Sequence, residues 1–306
     1  MQRSTRNWKL GFGLALTTAM LWGLLPMALK VALTELDAWT ITWCRFAGAL
    51  LAVGIWLTAR GELPLARILD RKLLRWLIPG SLGLTGNYVL YVLGLSYTSP
   101  AVAQVVMQIA PLLLLVLGMF FFRERFSRLQ WFGFLTLVAG LLVFFNRRLS
   151  ELMSPGKGWS FGVLLLVASS VSWATYGLSH KQLSRHLTSA QILFLVYGGA
   201  ALMLLPTANF ALLFNLHRPA LLALLFSVAN TVVAYGAFGV ALEVWEVSRV
   251  SSVVSVAPLF TLIGAFVAAE AAVTWVAPEA LNTLSIVGAL AVVAGSMISA
   301  LGSQKV

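Results

Sequence analysis

The sequence predicts an all-α integral membrane protein: ten transmembrane helices, arranged as two inverted five-helix repeats around a central cavity. Three observations predict it. Sixty per cent of the 306 residues are hydrophobic and ten per cent are charged, whereas an ordinary soluble domain is roughly half apolar and about a quarter charged. The mean hydropathy is +0.91, and the apolar residues gather into ten stretches near the ~20 residues that a helix needs to cross the hydrocarbon layer with its backbone bonded internally. The second five stretches also echo the first five in rare residues.

Taken in order, the predicted helices lie near 11–33, 39–59, 73–95, 100–122, 131–145, 159–179, 189–206, 219–242, 248–270 and 281–301. The first is too long for a signal-peptide core and lacks a cleavage site, so it stays as a helix. The fifth and seventh are short. The longest connections are 60–72, 146–158 and 207–218, which leave no room for a soluble domain. Lys and Arg in short loops set orientation. With the N-terminus in the cytoplasm, fifteen of the 21 Lys and Arg fall on the cytoplasmic side and four (Arg147, Arg148, Lys157 and Arg218) on the outer side. Both termini are therefore expected in the cytoplasm, although Arg147 and Arg148 run against the rule. The net charge of +11 reads as cytoplasmic helix rims meeting anionic lipid headgroups, not as a nucleic-acid surface. Cys44 is the only cysteine, which excludes an intramolecular disulfide and a thiolate metal cluster.

The internal echo begins in helix 1. Trp22, Pro26 and Lys30 are spaced four apart, as are Trp173, Gly177 and Lys181 in helix 6, at a constant offset of 151. Residues so spaced share one helix face. Ala110-Pro111 recurs as Ala257-Pro258, with Glu124 and Glu270 following, and Asn87 has a counterpart in Asn230. Five helices per copy, residues 1–148 and 149–306, is an odd number, so the second copy inserts upside down. That arrangement underlies alternating access around a shared central site.

Nine of the eleven tryptophans lie near predicted span ends, Trp43 among them, as an aromatic belt does. Trp22 and Trp173 lie well inside and are candidate cavity walls. Pro26, Pro111 and Pro258 each free a carbonyl one turn earlier, and with Gly177 they are candidate gating kinks. Amides are costly to strand in lipid, so Asn87, Gln104 and Gln108 are expected to face a wet cavity, with Tyr91, Tyr176 and Ser251 beside them. The other mid-span serines read as packing contacts. No carboxylate falls deep within a span, which argues against a carboxylate-based proton or sodium site. Lys30 and Arg45 are expected to snorkel to the interface. Turned inward, they could bind a carboxylate.

The chain resembles the drug/metabolite transporter superfamily in its ten-helix EamA-type form. The resemblance covers nearly the whole chain. It rests on Trp22-Gly23, on Ala110-Pro111 leading into Phe122-Arg123-Glu124-Arg125, and on the recurrence as Ala257-Pro258 and Glu270. It implies an exporter of the bacterial inner membrane, with helices 5 and 10 peripheral. Its amino acid exporters, those for aromatic amino acids included, form the branch that best suits aromatic and amide residues. Substrate binding is then expected at Trp22, Asn87, Tyr91, Gln104, Gln108, Trp173, Tyr176 and Ser251. The expected partners are a small-molecule substrate (an amino acid or similar metabolite) and membrane lipid, with no cofactor, metal or nucleic acid, and the chain is expected to act as a monomer. A carrier of nucleotide sugars or sugar phosphates would want more inward cations than Lys30 and Arg45. A membrane enzyme would want acids and bases clustered, and His180, His186 and His217 lie near helix ends.

Overall fold

The computed structural model describes residues 7–65, 70–110, 113, 127–147, 158–245, 247–270 and 281–301. Eleven α-helices and two 3-10 segments cover most of them. In chain order they are α1 (Trp8–Ala32), α2 (Ala38–Arg60), α3 (Arg71–Tyr97), α4 (Pro100–Val106), α5 (Arg128–Phe144), α6 (Gly158–Leu183), α7 (Ser189–Leu204), α8 (Arg218–Val244), α9 (Val247–Val254), α10 (Ala257–Glu270) and α11 (Thr283–Leu301). The described residues contain no strand. The 3-10 segments, Leu205–Thr207 and Phe210–Asn215, fill the connection before α8.

Local chemistry sets the ends of these helices. Asp37 starts α2, its carboxylate accepting from Trp39 N and Thr40 N at 2.9 Å. Ser127 with Gln130, and Thr188 with Gln191, form capping boxes that open α5 and α7. Gly61, at φ 67°, ends α2 in the left-handed region that glycine enters without cost.

Among the described residues, seven helical segments are long and apolar enough to cross a membrane: Trp8–Ala32, Ala38–Arg60, Gly158–Leu183, Ser189–Thr207, Arg218–Val244, Arg249–Ala268 and Thr283–Leu301. The third, fourth and fifth expected spans are not among these seven, for separate reasons. The helix Arg128–Phe144 is apolar but shorter. The 27-residue α3 is long enough, but Ser81, Thr85, Asn87, Tyr88 and Tyr91 lower the hydropathy of its middle. Most of the fourth span, with Pro111 and Glu124, lies outside the described residues, as do Glu246 and Trp275. The ninth expected helix is among the seven, as Arg249–Ala268, although it is broken at Ser255 and Val256.

Burial is arranged as lipid demands. Ile55, Leu202 and Phe266 turn outward, at 70%, 73% and 67% exposure, while Ser169, Ser170, Asn230, Thr231, Gln104 and Gln108 are buried. Without a hydrophobic driving force between helices in lipid, close packing and interhelical hydrogen bonds must hold the bundle.

The most extensive packing joins α3 to α6, α5 to α11, α1 to α8 and α2 to α7. Each pair takes one helix from each half of the chain. Exchanging the halves maps the pattern onto itself: α3–α6 becomes α8–α1, α2–α8 becomes α7–α3, and α2–α7 and α5–α11 return to themselves. The pair α1 and α8 runs antiparallel, Gly11 lying against Trp245 while Thr18 donates to the Ala234 carbonyl. Between α3 and α6, Ser169 and Asn87 exchange hydrogen bonds at the corresponding level. Glycine permits the closest approach between these two helices. A Cβ on Gly83 would lie 2.8 Å from the Ser172 carbonyl oxygen and the Tyr176 nitrogen.

Candidate functional site

The centre of the bundle is organised by one turn of α1. Pro26 sits inside that helix and cannot donate to the carbonyl one turn earlier, that of Trp22. The Gln104 amide takes the vacancy, its Nε2 donating to Trp22 O at 3.0 Å. The flanking carbonyls also accept from other helices. Asn230 Nδ2 donates to Leu21 O and Thr261 Oγ1 to Gly23 O, each at 2.6 Å. Three consecutive carbonyls are thus held by side chains from α4, α8 and α10. Gly23 has no side chain for a steric reason: a Cβ there would lie 2.5 Å from Ala257 O.

A prediction follows from this turn. Gln104→Leu keeps the bulk but leaves a buried carbonyl without a donor, at a cost of about 1–3 kcal/mol. Thermal unfolding of the purified protein in detergent should show a lowered midpoint. An unchanged midpoint would mean that the Trp22 carbonyl is satisfied in some other way.

Two helix breaks meet at the same depth. α4 ends at Val106, and Met107 and Gln108 form a turn; α9 ends at Val254, and α10 starts at Ala257. Each break falls just before an Ala-Pro pair. Gln108 Nε2 reaches across to Ser255 O at 3.3 Å. Positions 108 and 255 are 147 apart, as are Pro111 and Pro258. Equivalent positions of the two halves therefore touch, and such a contact lies on whatever axis relates the copies. The Ser255 carbonyl has no usual partner in its own helix, because Leu259 N donates to Val256 O instead.

Beside these breaks lies an aromatic layer. The Trp22 ring is 5.2 Å from Tyr235 and 5.4 Å from Phe238. Tyr235 is 6.2 Å from Tyr88, which stacks on Phe46 at 4.6 Å. Trp22 and Trp173, both half-buried, pack against one cluster that contains buried Tyr88, Tyr176 and Tyr235. The other expected site residues lie nearby in different settings. Tyr91 belongs to a second cluster, and its hydroxyl donates to Gln104 Oε1 at 3.4 Å. Asn87 binds Ser169 Oγ at 2.9 Å and so joins α3 to α6. Ser251 is half-buried, its carbonyl accepting from Ser255 Oγ at 2.8 Å. Of the expected kinks, Pro26 and Gly177 lie in unbroken helices, Pro258 adjoins a break, and Pro111 lies outside the described residues.

The two cations differ. Lys30 Nζ caps the carboxyl end of α3, donating to Leu95 O and Thr98 O at 2.8 Å and to Ser96 O at 3.3 Å. Its positive charge there suits the negative end of the helix dipole. Arg45 turns inward and is 3% exposed. Trp43, expected in the belt, lies under the second 3-10 segment: its ring meets Phe210 at 4.8 Å, and its indole nitrogen is buried. Spacing on α2 alone could not show this, because the covering residue belongs to a 3-10 segment far along the chain. Sequence reasoning also missed Thr261, whose position one turn past an Ala-Pro pair is a weak signal. Among the described residues, no group of three or more His, Cys, Asp or Glu is placed to hold a metal ion.

Comparison with known proteins gives concordant matches. A family model described as the EamA-like transporter family matches twice, at residues 9–146 and 160–301. An uncharacterized inner membrane transporter of Escherichia coli (strain K12), YhbE, is 37% identical over 298 residues, covering 96% of this chain and 92% of the relative. An uncharacterized transporter of Haemophilus influenzae is 36% identical, covering 96% of each chain. A probable amino-acid metabolite efflux pump of Salmonella typhimurium is 28% identical, covering 94% of each. One solved crystal structure, 19% identical, superposes with a TM-score of 0.68 over 99% of this chain and 100% of the other, which shows the fold.

Proposed function

The chain belongs to the EamA-like transporter family, and from that premise we propose that it exports amino acids, aromatic or otherwise apolar, or related small metabolites across the bacterial inner membrane by alternating access. In this reading ten spans form two inverted five-helix repeats, residues 1–148 and 149–306, with both termini in the cytoplasm. Substrate enters between the aromatic layer of Trp22, Trp173 and Tyr176 and the amides of Asn87, Gln104 and Gln108, with Tyr91 and Ser251 at the margin. Pro26, Pro111, Gly177 and Pro258 mark the places where the helices yield.

The observation that carries the reading is the Gln108–Ser255 contact. Broken helices are tolerated at membrane depth where they line a cavity or are buried in protein, and carriers of inverted-repeat design place such breaks at the substrate site. Here the two breaks meet at equivalent positions. Among the described residues the Gln108 amide oxygen finds no hydrogen-bond donor, which leaves an acceptor for a ligand. The kinship to a relative named as a probable amino-acid metabolite efflux pump supports the substrate class. A phosphorylated sugar is disfavoured, because Arg45 is the only Lys or Arg among the described residues that is fully buried.

The test is counterflow in proteoliposomes loaded with unlabelled L-phenylalanine, L-leucine or L-threonine and given the labelled compound outside. Transient accumulation of label with at least one amino acid is expected. A channel would give equilibration without overshoot. Accumulation of glucose 6-phosphate, with none of any amino acid, would replace the reading.

A further inference from the structure

Among the described residues, the Arg45 side chain is the one buried charge that neither the fold nor the reading above uses. Its Cα lies on α2, but its guanidinium reaches the middle of the bundle. There Nε donates to Thr231 Oγ1 at 3.1 Å, and Thr231 lies thirteen residues from each end of the 27-residue α8. The guanidinium carbon sits 4.1 Å over the Tyr88 ring. α1, α2, α3, α6 and α7 contain no Asp or Glu, and in α8 the only one is Glu243, one residue from its end. No carboxylate of the described residues therefore pairs with this cation.

An arginine cannot escape its charge by losing a proton. An ionised group at this depth must be paired, hydrated or bound by a ligand. A guanidinium has five N–H donors, four of them on the two terminal nitrogens. The described residues accept only from Nε. Stacking on tyrosine offsets part of the desolvation but fills none of the four terminal donors. Those donors form the planar fork that matches a carboxylate. The surroundings supply further donors. Among the described residues, the buried hydroxyls of Thr42 and Thr85 have no hydrogen-bond partner. Thr42 is one turn from Arg45 on α2, and Thr85 is one turn from Tyr88 on α3. The aromatic layer continues from Tyr88 through Tyr235 to Trp22, so an apolar side chain has a surface to lie on next to the cation.

We propose that Arg45 is the carboxylate-binding subsite of the transport cavity, and that the ligands are carboxylates carrying an apolar group. The terminal guanidinium nitrogens donate to the two carboxylate oxygens, and the apolar group lies toward Tyr235 and Trp22. This deepens the transport reading and rests on it only for the substrate's passage, not for its binding.

The test uses the full chain in detergent and three acids, L-phenylalanine, L-leucine and benzoate, each beside its own amide. Ligand-induced rise of the unfolding midpoint is measured for wild type, Arg45→Gln and Arg45→Lys. The wild type should bind at least one acid in preference to its amide. Arg45→Gln should weaken that acid about 10- to 100-fold and leave the amide unchanged, and Arg45→Lys should keep part of the preference. Equal binding of acid and amide by the wild type would overturn the proposal without any variant, as would binding of none of the acids. A preference retained in a folded Arg45→Gln protein would overturn it too. Binding of benzoate and neither amino acid would keep the subsite and remove the amino-acid reading. Counterflow of L-phenylalanine by Arg45→Gln at the wild-type rate would do the reverse.

Discussion

Gly288→Leu is expected to lower stability by about 3 kcal/mol or more, by forcing α5 and α11 apart. These two helices meet through four glycines in two pairs, Gly133 with Gly295 and Gly140 with Gly288. A Cβ on Gly140 would lie 2.6 Å from Val292 N and 2.9 Å from Gly288 O; on Gly133 it would lie 2.5 Å from Ser299 N. On Gly288 it would collide with the backbone of Phe144. Backbone cannot swing aside as a side chain can, so the helices must separate. Separation would also break the bonds between them, Ser285 Oγ to Phe144 O at 3.0 Å and Ser299 Oγ to Gln130 O at 3.2 Å. Lipid tails then replace close contact with no compensating hydrophobic gain. Thermal unfolding in detergent checks this, with Gly13→Leu as control, because a Cβ on Gly13 meets nothing within 4 Å. Equal midpoints for the two variants would show that the α5–α11 seam contributes little.

Gln108→Leu is expected to reduce counterflow at least about tenfold while costing only about 1 kcal/mol of stability. The substitution removes the one donor to Ser255 O, whose helical partner is engaged elsewhere. It also removes the amide oxygen left open at the point where the two breaks touch. A purely structural role would lower stability and leave the rate per folded molecule unchanged. Counterflow rate normalised to folded protein distinguishes the two. A normal rate in a folded Gln108→Leu protein would take Gln108 out of the transport path.

The helices were legible in the sequence wherever hydropathy alone decides. The spans starting at Trp8, Ala38, Arg218 and Thr283 agree with expectation to within about three residues at either end. Prolines were legible too, because a missing N–H has one local consequence. The bare Trp22 carbonyl follows from Pro26 and a helical spacing of four alone. Its rescue by Gln104 does not, since residues 22 and 104 are joined only by the fold. The helix α3 agrees as closely, 73–95 against Arg71–Tyr97, although its polar inner face lowers its averaged hydropathy. Arg45 shows the same limit as Gln104. Its position on α2 allows either snorkelling or burial, and the outcome depends on Tyr88 and Thr231, which approach from other helices.

The four main helix pairings, α3 with α6, α5 with α11, α1 with α8 and α2 with α7, each join the first half of the chain to the second. The halves are therefore woven together like the fingers of clasped hands. They cannot swing as two rigid shells without tearing those seams, whose glycines and buried hydrogen bonds would be laid open to lipid. In the alternating access proposed above, each mixed pair would move as a unit and one pair would slide past another.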